Sequence, residues 1–195
     1  MAANELHALG RARIGDLGRL LPTSSPALTV QLVEPLYVLS MRLLAGGGDA
    51  IAKAAASAGI PLLPSPGHFA GDDPLVLWRN PSELMLVTGR RSALERVLLE
   101  LAPASGVLAY AVDQSDGLIA LELKGPALDD VLPRLMDASA VPLESGQGTR
   151  ARMAEIAVIA IRLGPQCAWL IADRANDQYL ADWVAYAAEA AAALT

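Results

Sequence analysis

Chemistry-bearing residues are scarce in this chain. Its 195 residues include one cysteine, two histidines and a single phenylalanine, and aromatics make up 4%. A lone Cys167 excludes an intramolecular disulfide, and at the start of an apolar run it reads as a small core residue. Two distant histidines, His7 and His68, and one cysteine do not make a metal site at ligand spacing, so no metal is expected on this chain. Neither histidine has a nucleophile-elbow glycine pattern beside it, so no catalytic triad can be assembled. Basic blocks are also missing. No run of Lys or Arg exceeds two residues and the net charge is −6, which argues against a nucleic-acid partner. Long apolar runs are broken, the two best by Arg162 and Glu189, so no membrane span is expected. Arg11, Arg13, Asp16 and Arg19 interrupt the first 21 residues where a leader would need an apolar core; a cytoplasmic protein is the expectation.

Small apolar residues, by contrast, are abundant. Hydrophobic residues reach 53% and the mean hydropathy is +0.37, carried mostly by Ala, Leu and Val. Such an excess reflects either an alanine-rich bias or apolar surface buried against another chain.

The strongest pattern is a duplication. Residues 141–190 contain an apolar β-prone run, Ala157 to Leu163, a Gly164-Pro165 break, and a second run, Ala168 to Ala172. A helix that Asn176 can cap follows, with Leu180, Trp183, Val184 and Ala187 on its buried stripe. The first half repeats this order: Leu75 to Arg79, the break Asn80-Pro81, Leu84 to Val87, then a helix from Ser92 with Leu94, Val97, Leu98 and Leu101. The turn prolines, 81 and 165, are 84 residues apart. Upstream, strand 36–44, glycine turn, helix and Pro61-Leu62 match strand 118–124, Gly125, helix 127–136 and Pro142-Leu143, with the prolines 81 apart. The expectation is an α+β fold of two pseudo-twofold-related strand–helix–strand–strand–helix units. Each has an antiparallel sheet with helices on one face and an extra strand in front. Segments 36–101 and 118–190 should superpose.

The chain in order divides into an N-terminal arm, 1–27, and one duplicated domain, 28–195, with repeat halves about 28–102 and 107–195. Glycines weaken any helix in the arm, and Pro22 and Pro26 end it. Leu28 to Glu34 is an extra strand. Asp49 is read as the cap of a helix 50–58 that Gly59 ends. Gly46-Gly47-Gly48 lacks the Gly-Lys-Ser/Thr ending of a phosphate loop. Residues 60–73, holding His68 and Phe69, read as an exposed loop, and 103–106 as a hinge. Asp129-Asp130 favour the dipole of the helix they begin. Gly146-Gln147-Gly148 beside Arg150 and Arg152 reads as an anion-receiving loop or as a surface pair on an edge strand, and both readings stay open. No catalytic residue is identified and the cofactor-binding residues are left unassigned.

Several blocks together carry a resemblance: TVQLVEPLYVLSMRL; the turn Trp78-Arg79-Asn80-Pro81-Ser82-Glu83; Asp113 followed by Ser115; Gly125-Pro126; Gly148-Thr149-Arg150; and the terminal stretch Tyr179 to Trp183. In order and spacing, over about residues 28–190, they resemble the gamma subunit of heterotetrameric sarcosine oxidase. The resemblance implies a fold similar to the folate-binding part of aminomethyltransferases. It also implies a non-catalytic subunit, partnered by alpha, beta and delta chains, of a complex that oxidatively demethylates sarcosine to glycine. FAD, FMN, NAD and tetrahydrofolate, to which the one-carbon unit passes, belong to the partner subunits. The chain departs from the family at Ser145-Gly146-Gln147, small where proline and bulkier residues are usual. A related N-methyl amino acid dehydrogenase would use the same kind of subunit. The rival reading is a free-standing tetrahydrofolate-binding protein of the aminomethyltransferase type; the Lys-Gly-Cys-Tyr motif of its iron–sulfur repair branch is absent.

Overall fold

The computed structural model describes residues 27–44, 47–102 and 109–192. The N-terminal arm with His7, the hinge at 103–106 and the last three residues lie outside the described residues. The fold is α+β. In chain order the elements are β1 (Thr29–Leu32), β2 (Tyr37–Leu43), α1 (Gly48–Ser57), β3 (Phe69–Ala70), β4 (Leu75–Asn80), β5 (Glu83–Thr88) and α2 (Arg91–Glu100). Then come β6 (Ala109–Asp113), β7 (Leu118–Lys124), α3 (Leu128–Leu135), β8 (Gly148–Met153), β9 (Ile156–Gly164), β10 (Cys167–Asp173) and α4 (Asp177–Ala192).

The strands form two antiparallel five-stranded sheets, ordered β3-β4-β5-β2-β6 and β8-β9-β10-β7-β1. Strand alternation sends one face of each sheet to helices and the other to the second sheet. Leu39 and Met41 of β2 pack with Ile51 of α1 and Leu94 and Val97 of α2. Val158 and Ala160 of β9 pack with Val131 and Leu132 of α3 and Leu180 and Val184 of α4. Between the sheets lie Val38, Leu75, Leu77, Met85 and Val87 from one, and Ala120, Ile159, Ile161 and Ile171 from the other. The order is therefore helices, sheet, sheet, helices. A sheet covered on both faces needs near-continuous apolar strands, and much of the apolar excess goes there.

The two units have the same strand order, as the duplication predicts. The extra strands, however, are exchanged. β1 precedes the first unit but pairs with β7, Thr29 opposite Lys124. β6 precedes the second unit but pairs with β2, Leu39 opposite Asp113. Each sheet is completed by a strand from the other side of the chain. The Asp113–Ser115 pair braces this exchange: Asp113 accepts from the Ser115 amide at 2.9 Å, and Ser115 Oγ accepts from the Val38 amide at 3.0 Å.

Three local expectations change. Asp49 sits inside the first turn of α1; Gly47 holds the cap position, with no side-chain capping bond. Gly59, at φ +100°, ends the helix as expected. The segment 60–73 contains β3, paired with Val76 and Leu77. Asn176 stands immediately before α4, in the cap position, and also closes a single 3-10 turn, Arg174–Asn176. On α4 the buried stripe is Leu180, Ala181, Val184, Ala187 and Ala191; Trp183 is only partly buried at its edge. Its ring lies between those of Tyr179 and Tyr186, at centroid distances of 6.3 and 5.8 Å.

Candidate functional site

The inter-sheet layer is apolar at its centre and polar at its two ends. Equivalent β-bulges shape those ends. In the first hairpin Trp78 pairs with Leu84 and Asn80 with Glu83, leaving Arg79 as the extra residue. In the second, Arg162 pairs with Ala168 and Gly164 with Cys167, leaving Leu163. A bulge re-aims the side chain it carries. Leu163 packs against the inter-sheet cluster. Arg79 instead carries a guanidinium into a partly buried position.

Around Arg79 stand Glu83, Arg150 and Arg42, the charges acting on it. Burial is the main reason its pKa lies below the ordinary arginine value; Glu83 opposes the shift, and Arg150 and Arg42 add to it. Glu83 is already engaged. It accepts from Ser40 Oγ at 2.9 Å and Asn80 Nδ2 at 3.4 Å, and pairs with Arg42 Nη2 at 3.4 Å. Nη1 of Arg79 is buried and has no hydrogen-bond partner among the described residues. Beyond Arg150, an open hollow of about 400 Å³ is lined by Arg150, Ala151, Arg152, Glu155 and Ala157. Arg152 and Glu155, three residues apart, pair with each other at 3.3 Å.

The other end of the layer centres on Glu122 of β7, whose register places it where Ser40 lies in the first unit. Glu122 accepts from Gln31 Nε2 at 2.7 Å and Trp169 Nε1 at 3.3 Å, and from the Cys167 thiol at 3.7 Å. Burial first, then the charge of Glu122, push the Cys167 thiol pKa up. A thiol held protonated is a poor nucleophile. The positional equivalent of Glu83 is Cys167, of Arg42 Lys124, and of Arg79 Leu163. One end is thus rich in guanidinium groups and the other is not.

The sequence-singled residues fall into place around this asymmetry. Arg150 and Arg152 lie exposed on β8, an edge strand, as one of the two readings had it. The loop ahead of β8 meets the His68 segment: the Phe69 amide donates to Gly146 O and the Gly148 amide to Gly67 O, both at 2.9 Å. A Cβ on Gly148 would stand 2.2 Å from Leu77 Cδ1, so a larger residue there would require Leu77, which is buried, to repack. His68 is exposed, and its Nδ1 lies 3.0 Å from Pro66 O. Asp129, read as a helix-dipole acid, also pairs with Arg162 Nη1 at 2.7 Å. Gly47 and Gly48 lead into α1. Among the described residues no group of three or more His, Cys, Asp or Glu gathers in a metal-binding cluster. No described helix is long and apolar enough to cross a membrane. Sequence reasoning passed over Arg42 and Glu122, and took Arg79 and Glu83 only as parts of a turn. The available signal for Arg79 was a cation in the apolar run LVLWRN, where the repeat carries Leu163.

Comparison with known proteins gives a fold likeness. A chain of the heterotetrameric sarcosine oxidase from Corynebacterium sp. U-96, solved in complex with pyrrole 2-carboxylate, superposes with a TM-score of 0.75 at 24% identity. The match covers 91% of this chain and 92% of that one. Aminomethyltransferase T of the glycine cleavage system from Bartonella henselae superposes with a TM-score of 0.56 at 14% identity, covering 86% of this chain and 48% of that one. This chain therefore spans about half the length of that aminomethyltransferase. No protein-family model matches the chain, and no curated protein matches it.

Proposed function

We propose that this chain is a non-catalytic, gamma-type subunit of a sarcosine oxidase-like complex. The complex oxidatively demethylates sarcosine to glycine and passes the one-carbon unit to tetrahydrofolate. One observation carries the reading: near-complete mutual coverage with a chain of a heterotetrameric sarcosine oxidase. A chain that matched only part of its neighbour would fit a fragment of another enzyme equally well. In this reading FAD, FMN, NAD and tetrahydrofolate sit on alpha and beta partners, a delta chain completes the assembly, and the complex is cytoplasmic. Exposed apolar side chains, Tyr110 and Val112 on β6 and Tyr186 on α4, offer surface for those partners.

The test is co-expression with candidate alpha and beta chains, followed by pull-down and an assay for sarcosine-dependent peroxide. The expected outcome is a colourless chain alone and a stable, active, flavin-coloured complex. Its interface should bury about 2,000 Å² or more. The 86% coverage of this chain by aminomethyltransferase T supports a second reading, a free-standing tetrahydrofolate-binding protein. A monomer that ignores those partners yet binds tetrahydrofolate tightly by calorimetry decides for it.

A further inference from the structure

The two bulged hairpins hold equivalent places in one duplicated fold, so the second shows that an apolar residue satisfies the fold at the bulge position. Arg79 does not recur. Its equivalent, Leu163, packs into the inter-sheet cluster, which is the apolar outcome this position favours. A partly buried guanidinium there is a burden on the fold: burial disfavours its charge, and two further guanidinium groups repel it. The lone carboxylate in reach, Glu83, is already shared among Ser40, Asn80 and Arg42. Nη1 is left buried without an acceptor among the described residues. Arg174 Nε is also buried without a hydrogen-bond partner among the described residues, but Arg79 has two more guanidinium groups acting on it, and that concentration of positive charge calls for an anion that arrives from outside.

We propose that Arg79, Arg42 and Arg150 form a binding site for an oxyanion group, phosphate or carboxylate, of a small molecule. The planar fork of a guanidinium matches both anions in two-point geometry, and partial burial strengthens the pairing. Arg150 links the two parts of the site. It is one of the charges acting on Arg79, and it lines the 400 Å³ hollow together with Arg152. That volume suits the body of a small ligand whose charged end meets Arg150 and the guanidinium cluster it belongs to. The concavity of the hollow favours such a ligand over the carboxylates of a flat acidic protein surface. The opposite end of the layer, with Leu163 at the bulge and Gly71 in the register position of Arg150, has no such cluster. The site does not depend on the subunit reading.

The experiment titrates the full-length chain at low salt with inorganic phosphate, pyrophosphate and citrate, by calorimetry and by thermal melting. Sodium chloride at matched ionic strength is the control. Saturable binding of at least one of the three is expected, weakened about tenfold or more in Arg79→Leu and in Arg150→Gln. It should be unchanged in Arg134→Gln, on the exposed side of α3. A response to the phosphates alone identifies phosphate as the recognised group, and a response to citrate alone identifies carboxylate. Arg150 is exposed on an edge strand, so Arg150→Gln keeps the test decisive even if Arg79→Leu folds poorly. Absence of a saturable response to all three anions overturns the proposal. So does binding of undiminished strength in Arg150→Gln.

Discussion

The hairpins β4–β5 and β9–β10 share a turn proline, a bulge and a place in the sheet, yet they are braced by different means. In the first, the turn is held from within. Asn80 Oδ1 accepts from the Ser82 amide at 2.9 Å and from Ser82 Oγ at 2.8 Å, while Trp78 below packs on the helix-side cluster. In the second, position 80 becomes Gly164, which has no side chain to offer, and position 78 becomes Arg162. That arginine is 3% exposed; it donates through Nε to Gly164 O at 2.8 Å, through Nη2 to Pro165 O, and through Nη1 to Asp129 of α3. One side chain thereby closes the turn and fastens the helix. The fold requires the bulged geometry and some donor set for the turn; it does not prescribe which residue supplies it.

The largest expected effect comes from removing the second brace. Arg162→Met keeps an unbranched side chain of similar reach but takes away every donor to the turn. The Gly164 and Pro165 carbonyls lose their charged partner, and Asp129, largely exposed, returns to water. The expected loss is about 2–4 kcal/mol in urea unfolding, the range for a buried, charge-assisted hydrogen-bond network. A loss below about 1 kcal/mol would mean that water replaces the guanidinium, and that the turn is held by its proline and backbone alone.

The corresponding change in the first hairpin is milder. Asn80→Ala removes two acceptor contacts at the turn and a long donor contact to Glu83, while Trp78 continues to pack beneath it. About 1 kcal/mol of destabilisation is expected in the same unfolding experiment. If Asn80→Ala costs as much as Arg162→Met, the two braces are energetically equal and the burial of Arg162 counts for little.

How much of this was legible in the sequence depends on the range of the interactions involved. The hairpins were legible because their signals are local: two apolar runs around Asn80-Pro81 and Gly164-Pro165, spaced by 84. That spacing relates Asn80 to Gly164 and Val87 to Ile171. Elsewhere the offset drifts, to 82 between Val38 and Ala120 and 79 between Phe69 and Gly148, because the connecting loops differ in length. The proline spacing of 81 upstream therefore marked the repeat without fixing its register. β3 escaped notice since two residues carry no periodicity; pairing with β4 and with the Gly146–Gly148 segment creates it. The exchange of β1 and β6 was equally hidden. Both alternate in the same way, and only long-range pairing decides which sheet each one joins. Trp183 misled because i, i+3, i+4, i+7 spacing defines a stripe but not its edges. The anion reading of Arg150 and Arg152 stayed unresolved in sequence for a related reason: their neighbours Arg79 and Arg42 come from the other half of the chain.

The smallest expected effect is the one that separates fold from function at the bulge. Arg79→Leu makes the first hairpin resemble the second, where Leu163 fills the same position. A partly buried charge with an unpartnered Nη1 leaves and apolar contact with the inter-sheet cluster takes its place, while Glu83 keeps Ser40, Asn80 and Arg42. Replacing such a charge by a packed apolar side chain is neutral to stabilising, here by about 1 kcal/mol at most once solvent screening of the exposed part is allowed for. Urea unfolding of Arg79→Leu should therefore match or slightly exceed the parent, with the same dependence on denaturant. Were Arg79→Leu to lose more than about 1 kcal/mol, the guanidinium would be a structural member of the first hairpin, as Arg162 is of the second. Its absence from the repeat would then no longer point to a ligand.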